Sequence, residues 1–168
     1  MRIFVTGACG FIGSHLVEKL IKNNYKVRAL TYYNPHDSIG CLKYLNKKIF
    51  DKLEIINGDV RDLQLISNCT KRTDVIIHLA ALIGIPYSYH AVKSYIDTNV
   101  NGTFNILNAA RINKVKKILI TSTSEVYGSA REVPIKETHP LNAQSPYAAS
   151  KIAADQLALS YQKSFGLN

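Results

Sequence analysis

The sequence predicts an α/β fold, a doubly wound parallel sheet built as one unit over residues 1–168. Three observations carry this expectation. Short, β-branched, nearly continuous apolar segments alternate with longer stretches of helical spacing, the pattern of strands buried on both faces between helices. No repeat, low-complexity tract or linker interrupts the alternation. The first strand-like segment runs straight into Thr6-Gly-Ala-Cys-Gly-Phe-Ile-Gly13, a glycine-punctuated turn that opens a helical stretch. Sheets of this kind bind ligands beyond the carboxyl ends of their strands.

Each element has its own signal. Residues 2–6 (Arg-Ile-Phe-Val-Thr) are short and apolar and stop at Gly7. Residues 11–23 place Ile12, Leu16, Leu20 and Ile21 at helical spacing and close on Asn23-Asn24, residues suited to a helix C-terminus. A second strand is expected at 26–31, then, after Asn34-Pro35, a lysine-rich helix at 39–50. Strands three, four and five are expected at 53–57, 74–79 and 117–122. Long helices at 91–112 and 146–165 complete the pattern. The ending Phe165-Gly-Leu-Asn168 reads as a helix terminus leading towards a further strand. The expectation is therefore a chain truncated before the last strands and the substrate region.

Composition narrows the function classes. A hydrophobic content of 46% and a charged content of 20% suit a globular domain. No apolar run reaches the roughly 18 residues of a membrane span, and the opening residues lack the layout of a signal peptide. A cytoplasmic location is expected. Cys9, Cys41 and Cys69 have neither pairing nor metal-ligand spacing, so no metal is expected. The net charge of +9 comes partly from Lys47-Lys48, Lys71-Arg72 and residues 114–117, without the aromatic interleaving of a nucleic-acid surface. Nucleic acid and membrane are not expected partners.

Glycines at 7, 10 and 13 stand between strand one and helix one. A tight turn, a close approach to pyrophosphate and a helix–strand contact each favour a residue without a side chain. The helix N-terminus then offers N–H groups and positive dipole to phosphate. The spacing is G-x-x-G-x-x-G rather than G-x-G-x-x-G. Strand two ends Ala29-Leu-Thr-Tyr-Tyr33 without the acid that usually holds a ribose. No clear clamp for a 2′-phosphate replaces it, so NAD is expected with NADP left open. Tyr147 and Lys151 stand four residues apart, on one face of the last helix. A fixed ammonium near a phenol favours its anion, which prepares a proton acceptor.

These motifs, with Gly58-Asp-Val-Arg-Asp62, His78-Leu-Ala-Ala81, Asn99 and Tyr-x-x-x-Lys in order, resemble the extended short-chain dehydrogenase/reductase family, Rossmann-like enzymes acting mostly on nucleotide sugars. The resemblance runs from residue 1 to 168. It implies that Gly7, Gly10, Phe11, Ile12 and Gly13 hold the cofactor phosphates, Asp59 and Val60 contact adenine, and Leu79, Ala80 and Ala81 line the cofactor beside its ribose and nicotinamide. Asn99 joins the cofactor set by supporting the strand and helix ends around the site. Thr123 and Tyr147 would bond the substrate 4-hydroxyl, and Lys151 would bind the nicotinamide ribose. A homodimer paired through the helices at 91–112 and 146–165 is likewise implied.

Glu125 separates the outcomes that the resemblance allows. A carboxylate beside a 4-keto sugar can remove the C5 proton and help expel the 6-hydroxyl, which is 4,6-dehydratase chemistry. Dehydratases acting on glucose nucleotides typically show Thr-Asp-Glu, whereas this chain has Thr123-Ser124-Glu125. Thr-Ser-Glu also resembles UDP-glucuronate decarboxylases, and 4-epimerases need no acid here. The runs Leu79 to Tyr89, Thr121 to Gly128 and Gln144 to Ile152 resemble the UDP-N-acetylglucosamine 4,6-dehydratases of the bacterial legionaminic-acid pathway. That likeness favours dehydration and makes Tyr87 a substrate-contact candidate. A cofactor-binding fragment without turnover is the competing expectation.

Overall fold

A computed structural model describes residues 1–36 and 38–168. Five parallel strands form one sheet in the order β3-β2-β1-β4-β5: β1 Arg2–Thr6, β2 Lys26–Tyr32, β3 Glu54–Gly58, β4 Val75–His78 and β5 Lys117–Ile120. The order reverses between β1 and β4, and the register pairs Thr6 with His78 and His78 with Ile120. The loops after β1, β4 and β5 therefore leave the same edge side by side. That edge is the switch point at which doubly wound sheets bind ligands.

Side-chain alternation along the strands separates two cores. On one face Phe4, Leu30 and Ile76 pack with Ile66 of helix α3 (Leu63–Cys69) and Ile106 of helix α6 (Gly102–Ile112). On the other, Ile3, Val5, Val27 and Ala29 pack with Val17 and Ile21 of helix α1 (Phe11–Lys22) and with Leu42. The Asn23-Asn24 signal closes α1: Asn24 takes φ +63°, its N–H donates to Ile21, and the N–H of Tyr25 donates to Leu20. These are the two bonds of a Schellman motif. Helix α7 runs Pro146–Phe165, with Ser145 accepting the N–H of Ala148 and proline in the first turn. No helix among the described residues is long and apolar enough to cross a membrane.

Two expected helices are corrected. The stretch 39–50 divides into a 3-10 turn, Gly40–Tyr44, and helix α2, Lys47–Phe50. Leu45 between them is extended (ψ 144°), and the Asn46 side chain caps the second piece by accepting the N–H of Lys48. The stretch 91–112 consists of helix α5 (Val92–Tyr95), a π-helical turn (Ile96–Asn101) and α6. Here the Thr103 hydroxyl donates to the Asn99 carbonyl, a local side-chain bond that competes with the helical ladder. The short helices α3 and α4 (Ile85–Ser88) and the 3-10 turn Ser124–Tyr127 were not anticipated.

Candidate functional site

The glycine turn is built around close backbone approaches. Gly7 has φ +66°, and a Cβ there would lie 2.8 Å from the nitrogen of Ala80. At Gly13 a Cβ would lie 2.2 Å from the Gly7 carbonyl oxygen. The Gly10 N–H donates to the Gly7 carbonyl at 3.1 Å, closing the turn. Gly10 also caps α1 and brings no side chain to the first-turn N–H groups, which are the orphan donors of a helix start. Gly13→Ala is expected to destabilise the chain by about 3 kcal/mol through forced displacement of the turn. Thermal unfolding checks this, and an unchanged midpoint would refute it.

Beyond this turn the carboxyl edge opens into a cavity of about 1040 Å³. One end is lined by Gly7, Gly10, Phe11, Ile12 and Gly13, and by Asp59 and Val60 after β3. Leu79, Ala80 and Ala81 form the middle wall. Thr123, Glu125, Tyr147 and Lys151 line the other end. Asp59 accepts hydrogen bonds from the Arg61 backbone and guanidinium. Burial alone would raise its carboxyl, but these bonds outweigh it and hold the group below its usual value. Arg28 is committed elsewhere, to Glu54 at 2.8 Å and to the Cys69 carbonyl. It therefore offers no clamp for a 2′-phosphate.

Tyr147 and Lys151 are both buried, at 7% and 6% exposure, yet line the cavity. The Lys151 ammonium donates to the Thr121 carbonyl at 2.7 Å, tying α7 to the end of β5. Burial draws this lysine below its usual value, against the opposing pull of Asp155 one turn on. Asp155 in turn accepts the Ser122 hydroxyl proton. The Tyr147 ring packs edge-on to Tyr95, with centroids 6.2 Å apart. Thr123 Oγ1 accepts the N–H of Glu125 at 3.3 Å, leaving its own proton to donate. The Glu125 carboxylate makes no ion pair among the described residues. Ser124 is exposed and absent from the cavity wall.

One predicted residue is misplaced as a cofactor contact. Asn99 is 1% exposed and lies behind the wall. Its amide accepts from the Leu82 N–H at 2.8 Å and donates to the Leu82 carbonyl and to Ser150 Oγ, both at 2.9 Å. Every polar atom of that amide is thus spent on holding the wall to α7. The residues not foreseen are of the same supporting kind: Tyr95, whose hydroxyl donates to the Gly84 carbonyl, Asp155 and Arg61. Tyr87, 57% exposed, lines the cavity, as a substrate contact would.

The arrangement fits a dinucleotide: a glycine cradle, free helix-start donors, an acid beyond β3 and a long cavity over the switch point. Comparison with known proteins agrees. The family model for GDP-mannose 4,6 dehydratase matches residues 4–168. The chain belongs to the extended short-chain dehydrogenase/reductase epimerase/dehydratase family. A dTDP-glucose 4,6-dehydratase of Actinoplanes is 36% identical, covering 100% of this chain and 54% of that protein. The crystal structure of DesIV, a dTDP-glucose 4,6-dehydratase from Streptomyces venezuelae with NAD and TYD bound, is similar with a TM-score of 0.84 and 34% identity over 99% of this chain and 53% of that one. The UDP-N-acetylglucosamine 4-epimerase of Methanobrevibacter ruminantium, in complex with UDP-N-acetylmuramic acid, reaches a TM-score of 0.89 at 34% identity over 99% of this chain and 52% of that one. This epimerase/dehydratase family member thus spans about half the length of the relatives it matches.

Proposed function

We propose that residues 1–168 form the NAD-binding domain of a nucleotide-sugar 4,6-dehydratase whose substrate is UDP-N-acetylglucosamine. The observation that carries this reading is the convergence of Thr123, Glu125, Tyr147 and Lys151 on the same cavity as the glycine turn. The NAD bound to DesIV, together with the absence of an Arg28 clamp here, supports NAD as the cofactor. When bound, it supplies the hydride acceptor that oxidation at C4 requires and the hydride that is later returned. Gly7, Gly10 and the start of α1 hold its phosphates, while Asp59 and Val60 lie at the adenine end.

Tyr147 takes the proton of the 4-hydroxyl as C4 is oxidised to a ketone. Lys151 places a positive charge behind it, and Thr123 donates a hydrogen bond to the same substrate oxygen. The resulting 4-ketone acidifies the C5–H. Glu125 removes that proton and the 6-hydroxyl departs as water. The resulting 5,6-alkene regains a hydride at C6 and a solvent proton at C5, which leaves a 4-keto-6-deoxy sugar. With Ser124 outside the wall, Glu125 also protonates the leaving hydroxyl, so one carboxylate serves both halves of the elimination.

A second reading, 4-epimerisation, is favoured by the lack of a second acid at Ser124 and by the likeness to the M. ruminantium epimerase. Mass spectrometry of UDP-N-acetylglucosamine treated with NAD and the protein extended to its relatives' length decides between them. Loss of one water is expected from the wild type. Glu125→Gln is expected to lower that loss by about 10²-fold or more, the scale of a general base. A product of unchanged mass that separates from the substrate by chromatography assigns epimerisation, and loss of carbon dioxide in a parallel incubation with UDP-glucuronate assigns decarboxylation. The isolated 168 residues are expected to bind NAD without efficient turnover.

A further inference from the structure

The proposed chemistry leaves several buried titratable groups unused, His78, Tyr95 and His139 among them. His78 ends β4 and is 3% exposed. Its Nδ1 lies 2.7 Å from Thr6 Oγ1, and its Nε2 lies 3.2 Å from Thr103 Oγ1. The surrounding contacts fix the proton directions. Thr103 gives its only hydroxyl proton to the Asn99 carbonyl at 2.6 Å. It can therefore only accept from His78, so Nε2 carries the ring proton. Thr6 Oγ1 accepts the Ala80 N–H at 3.1 Å, which leaves its own proton for the bare Nδ1. Burial and the nearby Lys151 charge keep the ring neutral.

The same set of bonds continues on both sides. Thr103 secures the Asn99 backbone, and the Asn99 amide holds Leu82 and Ser150. Ser150 in turn donates to the Tyr147 carbonyl at 2.7 Å. No buried side-chain polar atom among the described residues is left unpaired. The other tautomer would set a bare Nε2 against Thr103 Oγ1, whose proton is already given away. One of the two bonds would then be lost at a buried site.

We propose that His78 is a positioning residue: as the neutral Nε2–H tautomer it orients a continuous set of hydrogen bonds that sets the Ala80–Leu82 wall against the helix turn bearing Tyr147 and Lys151. The proposal rests on the reading of Tyr147 and Lys151 as the proton-transfer pair, but its test uses no turnover. Absence of sugar chemistry would sink that reading and leave the bonding scheme intact.

Histidine side-chain ¹⁵N–¹H correlation spectra of the labelled chain test the tautomer directly. The expected result is a single Nε2–H form of His78 at both neutral pH and about pH 5. An Nδ1–H form, or a doubly protonated ring at the lower pH, would overturn the proposal. Amide hydrogen exchange tests the coupling. Thr103→Val is expected to speed exchange at Ala80 and Leu82 by about tenfold more than Ile106→Val, a control in the same helix. Thr103→Ser, which keeps the hydroxyl, is expected to restore protection. Equal exchange in the two valine variants, or no rescue by serine, would overturn it. If Thr103→Val does not fold, the wild-type spectrum alone decides.

Discussion

In the protein extended to its relatives' length, and under the proposed function, replacing Tyr147 with Phe is expected to lower kcat on the sugar nucleotide by about 10²–10⁴-fold, the usual loss on removing a positioned acid–base group. NAD affinity should change little, because the substitution removes one oxygen and keeps the ring that packs against Tyr95. The fold should also survive, since the hydroxyl makes no hydrogen bond among the described residues and opens onto the cavity. Steady-state kinetics with a parallel calorimetric titration of NAD separate the two effects. A kcat within about threefold of wild type would remove Tyr147 from the proton-transfer role, since that is less than about 1 kcal/mol of barrier. Lys151→Met acts differently. It removes the ammonium one helical turn from Tyr147 and also its bond to the Thr121 carbonyl, which joins α7 to the end of β5. Its variant should therefore lose stability as well as turnover, which makes Tyr147→Phe the cleaner test.

The sequence carried the architecture because its signals were local. Short apolar runs and the Asn23-Asn24 stop each act within a few residues of the feature they produce. The cavity-facing residues were reached through the family resemblance, and the strand order explains why they meet: it sets the strand ends that carry them side by side. What escaped was the layer behind them. Tyr95 and Asp155 do their work through partners 11 and 33 residues away, Gly84 and Ser122. No periodicity encodes such a pairing. The π-helical turn was hidden as well, since Thr103 bonding back to Asn99 is a side-chain choice within a stretch of ordinary helical composition. The segment 39–50 failed through capping: Asn46 offers the backbone a competing bond that average helix propensity does not weigh.

Acid is expected to destabilise the folded chain chiefly at His78. In the fold its pKa is pushed down from 6.5 to about 3, first by complete burial and then by the Lys151 charge on the facing helix. Thr6 and Thr103, the groups on the other elements packed against it, are uncharged. The unfolded chain thus binds this proton first as pH falls. The resulting stability is fully present above about pH 6.5, shrinks below it, and is gone once pH falls through the folded value near 3. At pH 5 the loss is about 2 kcal/mol and at pH 4 about 3 kcal/mol, from the shift at about 1.36 kcal/mol per unit. Asp59, Asp74 and Asp97 also have lowered values, so wild-type unfolding alone would mix several contributions. The decisive quantity is the change in denaturant unfolding free energy between pH 7 and pH 5 in wild type minus the same change in His78→Gln. Gln keeps an amide donor at the Nε2 position but cannot take up a proton, so the pH-dependent part contributed by His78 disappears even if the variant is weaker throughout. A pH dependence identical in the two proteins would mean that the folded ring takes up its proton as readily as the unfolded one, and the proton directions from Thr6 to Asn99 would have to be redrawn.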